Sequence, residues 1–161
     1  MAGETRNSGA RKRQLRSAAR LYAVQALFQM EAASISLKDV ETEFEAHRIG
    51  CTIDEEVYPE ADRRHFRDLL QASVAHQARI DQLTDRALAI NWPIDRIDPI
   101  LRAVFRAAGA EIVALETPPR VAINEYVDVA KAFFPAGNET KFVNAVLDHM
   151  AREAQPGAFE R

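Results

Sequence analysis

Apolar residues recur at three- and four-residue steps along most of the chain, and this spacing restricts the fold more than any other feature. Between Leu15 and Met30 they form one apolar face of a helix. The segment from Ile100 to Leu115 is apolar almost all round, which predicts a central, buried helix. No stretch shows the sustained period-two alternation that indicates a strand. The chain is therefore predicted to be all-α, a two-lobed bundle of about seven helices.

Capping residues divide the periodic pattern into separate helices. Ser36 followed by Asp39 resembles a capping box and predicts the start of a short second helix. Asp98 and Pro99 predict another start, with Asp at the N-cap and Pro at the first position, where its missing N–H costs nothing. The long third segment is expected to break once, near residues 76–79.

Three local features carry further expectations. Gly109 lies inside the central helix, where it costs about 1 kcal/mol relative to alanine, so a close helix crossing is expected there. Residues 50–60 are acidic, end near Pro59, and are predicted to be a loop. Trp92, next to Pro93, is either a base-stacking platform or a wedge between lobes, and its apolar surroundings favour the wedge.

The length and the interruption around Trp92 predict the domain organisation. A chain of 161 residues has the size of one domain or of two small packed lobes. Small and polar residues at the start of the chain are expected to be disordered, and the end is expected to fray. The predicted parts are a tail at 1–10, a single helical domain at 11–151 with lobes at about 11–90 and 92–151, and a second tail at 152–161.

Composition excludes several classes of protein. The single cysteine, Cys51, excludes an internal disulfide framework and a zinc site with several cysteine ligands. The four histidines lie far apart and none fits the H-E-x-x-H spacing of a metalloprotease. No apolar run approaches the roughly 20 residues of a membrane span, and no secretory signal is present. We therefore expect a cytoplasmic protein that is not an enzyme and uses no cofactor or metal.

Glu125 is one residue for which two interpretations compete. It follows Asn124 in an otherwise apolar helix, so a functional interpretation makes it a ligand or a base. The interpretation that we favour is structural: a partly buried carboxylate paired with an arginine such as Arg102 or Arg106.

The charge of the chain is distributed unevenly. Residues 1–20 carry a net charge of +5 and the remainder carries −8, although the whole chain has only −3. A basic arm on an acidic body indicates nucleic-acid contact, and the alternative is a solvated tail with no function. At about 100° per residue, Arg13, Arg16 and Arg20 lie opposite the apolar face, with Phe28 on the flank of this stripe. The candidate contacts of the arm are Arg11, Lys12, Arg13, Arg16 and Arg20.

The start of the last predicted helix is a second candidate site. Lys141 and Phe142 follow Asn138 at a point where several backbone N–H groups are free of helical partners. A cation, an aromatic ring and such N–H groups suit a phosphate and an unstacked base. The alternative is a core position for Phe142 and a capping role for Asn138, and the residues alone leave both open.

Four segments together resemble the NusB family of transcription antitermination factors. Residues 20–29 are similar to the first-helix signature of that family, and residues 105–112 to its central helix. Two C-terminal segments are also similar to its signatures, one at 119–125 with 129–131 and the other at 141–148. The resemblance extends from about Arg11 to Met150, and the combination in this order is specific. The matching sequences are RLYAVQALFQ, FRAAGAEI, PRVAINE with VAK, and KFVNAVLD.

The resemblance implies an all-helical, two-lobed RNA-binding protein without catalytic activity. Members of the family bind the boxA element of ribosomal-RNA leader transcripts together with NusE, a protein of the small ribosomal subunit. The pair helps RNA polymerase to read through terminators. By this resemblance the single-stranded RNA would contact the basic first helix, an aromatic of that helix and the start of the last helix. The matching residues are Arg11, Lys12, Arg13, Arg16, Arg20, Phe28, Asn138, Lys141 and Phe142.

This chain departs from the family pattern at several positions. Phe28 stands where tyrosine is usual, and Ala145 stands where glycine is usual. Before the last helix the family usually has Lys-x-Phe-Gly, whereas this chain has Lys131-Ala-Phe-Phe134 followed by Pro135, and the loop is one residue longer. Alternative functions are a NusB-like RNA-recognition domain acting alone and a helical scaffold that does not bind RNA. A homodimer is compatible with each of them.

Overall fold

The structure is a computed structural model that describes residues 2–88 and 94–159. This part of the chain contains seven α-helices, one short hairpin and two 3₁₀ turns, so the prediction of an all-α fold is confirmed. The interruption around Trp92, and with it the predicted wedge, lies outside the described residues. The elements are α1 (Ala2–Ala33), α2 (Leu37–His47), β1 (Thr52–Ile53), β2 (Glu56–Val57), α3 (Arg63–Ala75), α4 (Gln77–Ala87), α5 (Pro99–Val113), α6 (Pro119–Phe133) and α7 (Glu139–Ala154), with 3₁₀ turns at Ile94–Arg96 and Pro156–Phe159.

Helix boundaries agree with the capping predictions. The Ser36 hydroxyl accepts a hydrogen bond of 3.2 Å from the backbone N–H of Asp39 at the start of α2. The Asp98 carboxylate accepts one of 2.7 Å from the N–H of Ile100, and Pro99 is the first residue of α5. The predicted break in the third segment is the single residue His76 between α3 and α4.

The ends of the chain are more helical than the sequence indicated. Helix α1 begins at Ala2, so residues expected to be disordered belong to the first helix. Extending an existing helix avoids the cost of nucleation, and residues 2–10 contain no proline to stop it. At the other end α7 continues to Ala154, and the Arg152 guanidinium lies over the ring of Phe159, 4.4 Å from its centroid.

The predicted loop at residues 50–60 contains a hairpin. Strand β1 pairs antiparallel with β2, and Asp54 and Glu55 between them have φ values of 50° and 68°. Two consecutive residues with positive φ match the twist of a hairpin. Each strand has only two residues, which is too short for period-two alternation to be visible in the sequence.

The chain divides into two compact units, Met1–Leu70 and Gln71–Arg161. We predicted the boundary at about residues 90–92, which lies outside the described residues, whereas the division falls within α3. The division falls before α4 because α4 packs against α5 and α7, and it therefore belongs to the second unit. The guanidinium of Arg106 on α5 donates two hydrogen bonds to Asp81 on α4, of 3.0 and 2.9 Å, and Arg86 on α4 donates one to Glu153 on α7.

The core of the first unit is an aromatic cluster. Tyr22 of α1 meets Phe44 of α2 edge to face at 6.4 Å, and Phe44 stacks on Phe66 of α3 at 5.7 Å. The Tyr22 hydroxyl donates to the carbonyl of Pro59 at 2.7 Å. Burial, followed by the nearby Glu60 carboxylate, raises the pKa of Tyr22.

Arg63 holds the segment around the hairpin in place. Its guanidinium donates to the carbonyls of Glu45 and Ile49, at 2.8 and 3.0 Å, and to the carboxylate of Glu60 at 3.0 Å. The hydrogen bond from Arg63 lowers the pKa of Glu60 below its ordinary value. Gly50, with a φ of 72°, lies against the Glu60 carboxylate where a Cβ atom would collide.

The second unit is built around α5, which is buried along almost its whole length. At Gly109 a Cβ atom would collide with Cγ2 of Ile80 on α4, so the predicted close crossing is present. Glu125 on α6 is half-buried. Arg106, one of the two arginines suggested as its partner, is engaged by Asp81.

Candidate nucleic-acid interface

The basic arm lies on the outer part of α1, within the first unit. Arg11, Lys12, Arg13 and Arg16 are all exposed. Arg16 is 3.8 Å from the Asp62 carboxylate, but its side chain remains 60% exposed, so this ion pair contributes little stability. Within the described part of the chain no ion pair involves Arg11, Lys12 or Arg13. These four side chains therefore present positive charge to solvent.

Arg20 does not share this environment, and its prediction as an exposed member of the stripe is wrong. It is 4% exposed, and several of its neighbours on α1, among them Ala19, Ala23 and Val24, are also buried. Val24 and Leu27, one turn and two turns further on, are buried on the same side as Arg20. The stripe that is open to solvent at Arg13 and Arg16 is therefore largely withdrawn from solvent at Arg20.

Phe28 interrupts this burial. It follows the buried Leu27 and is 36% exposed, which makes it one of the few large apolar side chains at the surface. By helical geometry it lies about 18 Å along the axis from Arg16 and about 60° round from Arg13. An exposed ring on the flank of a cationic stripe is suited to stacking against a base.

The start of α7 carries the second group of predicted residues, within the second unit. Asn138 occupies the N-cap position, but its exposed side chain makes no capping hydrogen bond. Lys141 is exposed, and Phe142 is half-exposed. The Phe142 ring contacts the buried ring of Phe105 edge to face, with 6.0 Å between the centroids. Both open interpretations of Phe142 are thus partly met, because the core fixes the ring while part of it stays accessible.

A cavity of about 690 Å³ opens beside Phe142. It lies between the starts of α5 and α7, and its walls combine apolar side chains with a few polar groups. Sequence reasoning missed the cavity because its walls come from segments about forty residues apart, and no local pattern reports their proximity. The lining residues are Ile97, Asp98, Leu101, Gly137, Asn138, Glu139 and Phe142.

Two further features of the described residues concern metal binding and membrane crossing. There, no group of three or more histidine, cysteine, aspartate and glutamate side chains is arranged to hold a metal ion. No helix among those residues combines the length and the apolar character that a membrane crossing requires. The fold and the two surfaces define an all-helical protein that exposes a cationic helix and aromatic rings.

Comparison with known proteins identifies the family. The model of the NusB family matches residues 17–152, which is most of the chain. The chain therefore belongs to the NusB family, and the resemblance seen in the sequence is confirmed.

Curated relatives agree with this assignment over nearly their full lengths. The transcription antitermination protein NusB of Rhodopseudomonas palustris (strain BisB18) is 46% identical over 154 residues, which cover 95% of this chain and 90% of the relative. The protein of the same name from Nitrobacter hamburgensis is 47% identical over 152 residues, with 94% of each chain covered.

Solved structures share the fold. The solved structure of T. maritima NusB aligns with a TM-score of 0.70 and 30% identity, covering 90% of this chain and 96% of that one. A chain from a crystal structure of the antitermination factors NusB and NusE in complex with dsRNA aligns with a TM-score of 0.69 and 23% identity. That alignment covers 87% of this chain and 98% of the other, and at this identity it shows the common fold alone.

Proposed function

We propose that this protein is an RNA-binding transcription antitermination factor. It binds boxA-type leader RNA of ribosomal-RNA operons together with NusE and promotes read-through by RNA polymerase, in the cytoplasm and without a catalytic step. The observation that carries the proposal is the group of four exposed cations on α1, which lies in a chain whose remainder is acidic. The name shared by its curated relatives, transcription antitermination protein NusB, supports the same function.

The two surfaces have complementary roles in this proposal. Arg11, Lys12, Arg13 and Arg16 bind phosphates, which contributes affinity without sequence preference. Phe28 and Phe142 offer rings to unstacked bases, so single-stranded RNA is the expected ligand. Lys141, one residue before Phe142, adds a phosphate contact at the second surface.

NusE is the proposed protein partner. The family resemblance implies that this partner is a basic ribosomal protein, and residues 21–161 carry a net charge of −8. Opposite charges speed the encounter of two proteins and reduce repulsion when both bind one RNA. A relative crystallised with NusE and dsRNA is consistent with such an assembly. By linkage, a partner that raises RNA affinity has its own affinity raised equally by RNA.

Charge neutralisation of the arm tests the RNA site. The variant carries Gln at Arg11, Lys12, Arg13 and Arg16, and its affinity for a boxA-containing RNA is measured by fluorescence anisotropy over a series of salt concentrations. Affinity should fall, and the slope of log affinity against log salt should flatten by about 0.7 for each lost phosphate contact. The helical circular dichroism should not change, because these side chains are exposed.

A matched control removes the same charge elsewhere. It carries Gln at four other exposed cations, which lie outside both surfaces. The control should retain most of the affinity and its salt slope. Equal losses in both variants would mean that only net charge matters, and unchanged affinity in the arm variant would remove the arm from the site. The control positions are Lys38, Arg64, Arg79 and Arg120.

The same titration separates the alternatives. A helical scaffold that does not bind RNA gives no binding and no salt slope. A NusB-like RNA-recognition domain acting alone binds RNA but gains nothing from NusE. Analytical ultracentrifugation of the protein and of its complexes establishes whether the homodimer that the sequence allows is formed.

A further inference from the structure

Acidic side chains are concentrated between the hairpin turn and the start of α3. Residues 54–62, which we call the acidic segment, contain five carboxylates and no lysine or arginine, namely Asp54, Glu55, Glu56, Glu60 and Asp62. The segment belongs to the same compact unit as the arm on α1, whose four exposed cations carry the opposite charge. A phosphate that approaches the arm is therefore attracted by one set of charges and repelled by the other.

Two hydrogen bonds hold the end of the acidic segment against α1. The Tyr22 hydroxyl donates to the carbonyl of Pro59 at 2.7 Å. The backbone N–H of Asp62 donates to the carbonyl of Leu15 at 2.9 Å. In this position Oδ2 of Asp62 lies 3.8 Å from Nε of Arg16. The acidic segment thus borders the arm directly.

The carboxylates of Glu60 and Asp62 are fixed in place by residues outside the arm. Oδ1 of Asp62 accepts a hydrogen bond of 2.9 Å from the N–H of His65, in the first turn of α3. Oε1 of Glu60 accepts one of 3.0 Å from Arg63, which is itself held by two backbone carbonyls. The hydrogen bond from Arg63, and to a smaller extent the charge of Arg11, lowers the pKa of Glu60. These two negative charges therefore stay beside the arm when a ligand reaches it.

The acidic segment covers one side of α1 and leaves the other side open. At about 100° per residue, Arg13 and Phe28 lie about 160° and 140° round the helix from Leu15. Both of these side chains are exposed. Arg16 lies between the two sides. A phosphate that binds Arg16 from the side of Phe28 is therefore farther from Glu60 and Asp62 than one that binds it from the side of Leu15.

We propose that Glu60 and Asp62 are specificity-determining residues that fix the path of the RNA across α1. They exclude phosphates from the side of the helix that carries the acidic segment, and they confine the RNA backbone to the side of Arg13 and Phe28. A repulsive element of this kind adds specificity because it weakens wrong binding modes more than the right one. The inference rests on the proposed RNA-binding function and adds to it two residues that lie outside both contact surfaces.

The repulsion acts differently on different RNAs. An RNA with a base stacked on Phe28 is held on the open side of α1 and keeps its phosphates away from Asp62. An RNA without such a base contact binds through its phosphates alone, and these carry no sequence information that would restrict it to one side of the arm. The two carboxylates should therefore weaken the second kind of binding more than the first.

The charge of Asp62 can be removed without loss of its hydrogen bond to α3. Asparagine and serine are both preferred immediately before a helix, because their side-chain oxygen accepts from the same N–H group. The variants Asp62→Asn and Asp62→Ser of the full chain are compared with the wild type by fluorescence anisotropy. The ligands are a boxA-containing RNA and oligouridine of the same length, at about 0.1 M salt, where the Debye length is about 10 Å.

Both variants should bind oligouridine about threefold more tightly than the wild type, because a unit charge at about 4 Å changes affinity about fivefold in water before salt screening. The affinity for the boxA-containing RNA should rise less than about twofold, since its phosphates already avoid Asp62. The matched control is Asp128→Asn on α6, in the second unit, where Asp128 is exposed and lies at the same distance of 3.8 Å from Lys131. This control should leave the ratio of the two affinities unchanged.

Photo-crosslinking reports the path of the RNA directly. Oligouridine that contains 4-thiouridine is irradiated in complex with the protein, and the crosslinked residues are mapped by mass spectrometry. With the wild type, crosslinks are expected on the side of Phe28 and not at residues 57–62. With Asp62→Asn, crosslinks to residues 57–62 should be added.

The outcomes distinguish this inference from the proposed function. Equal gains for both RNAs, no gain in either Asp62 variant, or the same change of ratio in Asp128→Asn would overturn the role of the carboxylates while RNA binding stands. Wild-type protein that binds neither RNA would overturn the proposed function as well. Thermal unfolding monitored by circular dichroism establishes which variants are folded, and one folded Asp62 variant is sufficient for the test.

Discussion

Replacement of Gly109 by alanine should destabilise the protein even though alanine is the better helix former. Propensity alone favours alanine by about 1 kcal/mol in a helix interior. In the structure, however, the new Cβ atom collides with Cγ2 of Ile80, which is fully buried. Overpacking of a well-packed core costs about 1–3 kcal/mol. Because the collision is severe, we expect the upper part of that range and a net loss of about 1–2 kcal/mol.

The effect of Gly109→Ala on stability should change sign when the colliding side chain of Ile80 is removed. Ile80→Ala alone leaves a cavity and should cost about 2–5 kcal/mol. In that background Gly109→Ala meets no Cγ2 atom, so the helix propensity remains and the second substitution should stabilise by about 1 kcal/mol. The coupling between the two positions is then about 2–3 kcal/mol, which is within the range for residues in contact.

Urea unfolding followed by circular dichroism measures this cycle. The midpoint should shift to lower urea for Gly109→Ala, and to higher urea when the same change is made in Ile80→Ala, at an unchanged slope. An equal stabilisation of about 1 kcal/mol in both backgrounds would refute the close crossing of α4 and α5.

Two further predictions concern the segment that Arg63 holds. Arg63→Met leaves the carbonyls of Glu45 and Ile49 and the Glu60 carboxylate without their donor, and should lower the urea-unfolding free energy by about 2 kcal/mol. Glu60→Gln should be less stable than the wild type at neutral pH, because the folded state lowers the pKa of this carboxyl below 4.5. The difference in unfolding free energy between the wild type and Glu60→Gln should be fully present above about pH 4.5 and should disappear as the pH falls through the lowered pKa. A difference that stays constant down to about pH 2 would contradict the ion pair of Glu60 with Arg63.

Much of the fold could be predicted because its signals are local. The N-caps at Ser36 and Asp98 act on N–H groups two or three residues away, so their sequence pattern is sufficient. Gly109 predicted the close helix crossing because glycine is unfavourable in a helix interior, and in the structure the space beside it is filled by Ile80. The hairpin was missed because two-residue strands carry no periodicity.

The candidate site was less predictable because exposure depends on the whole fold. Helical geometry places Arg20 on the same side of α1 as Arg13 and Arg16, yet only Arg20 is buried. The cavity beside Phe142 was not predicted from the sequence. Its walls come from the starts of α5 and α7, which are about forty residues apart and meet only in the folded chain.

The affinity for a boxA-containing RNA, measured with and without NusE at low and at physiological salt, tests the proposed function most directly. We expect the protein alone to bind RNA with a clear salt dependence that the arm provides. Added NusE should raise the RNA affinity, and RNA should raise the affinity for NusE by the same factor. A fall in RNA occupancy when NusE is added would mean that the partner and the RNA compete for one surface, and would contradict the placement of RNA on the arm and on the start of α7.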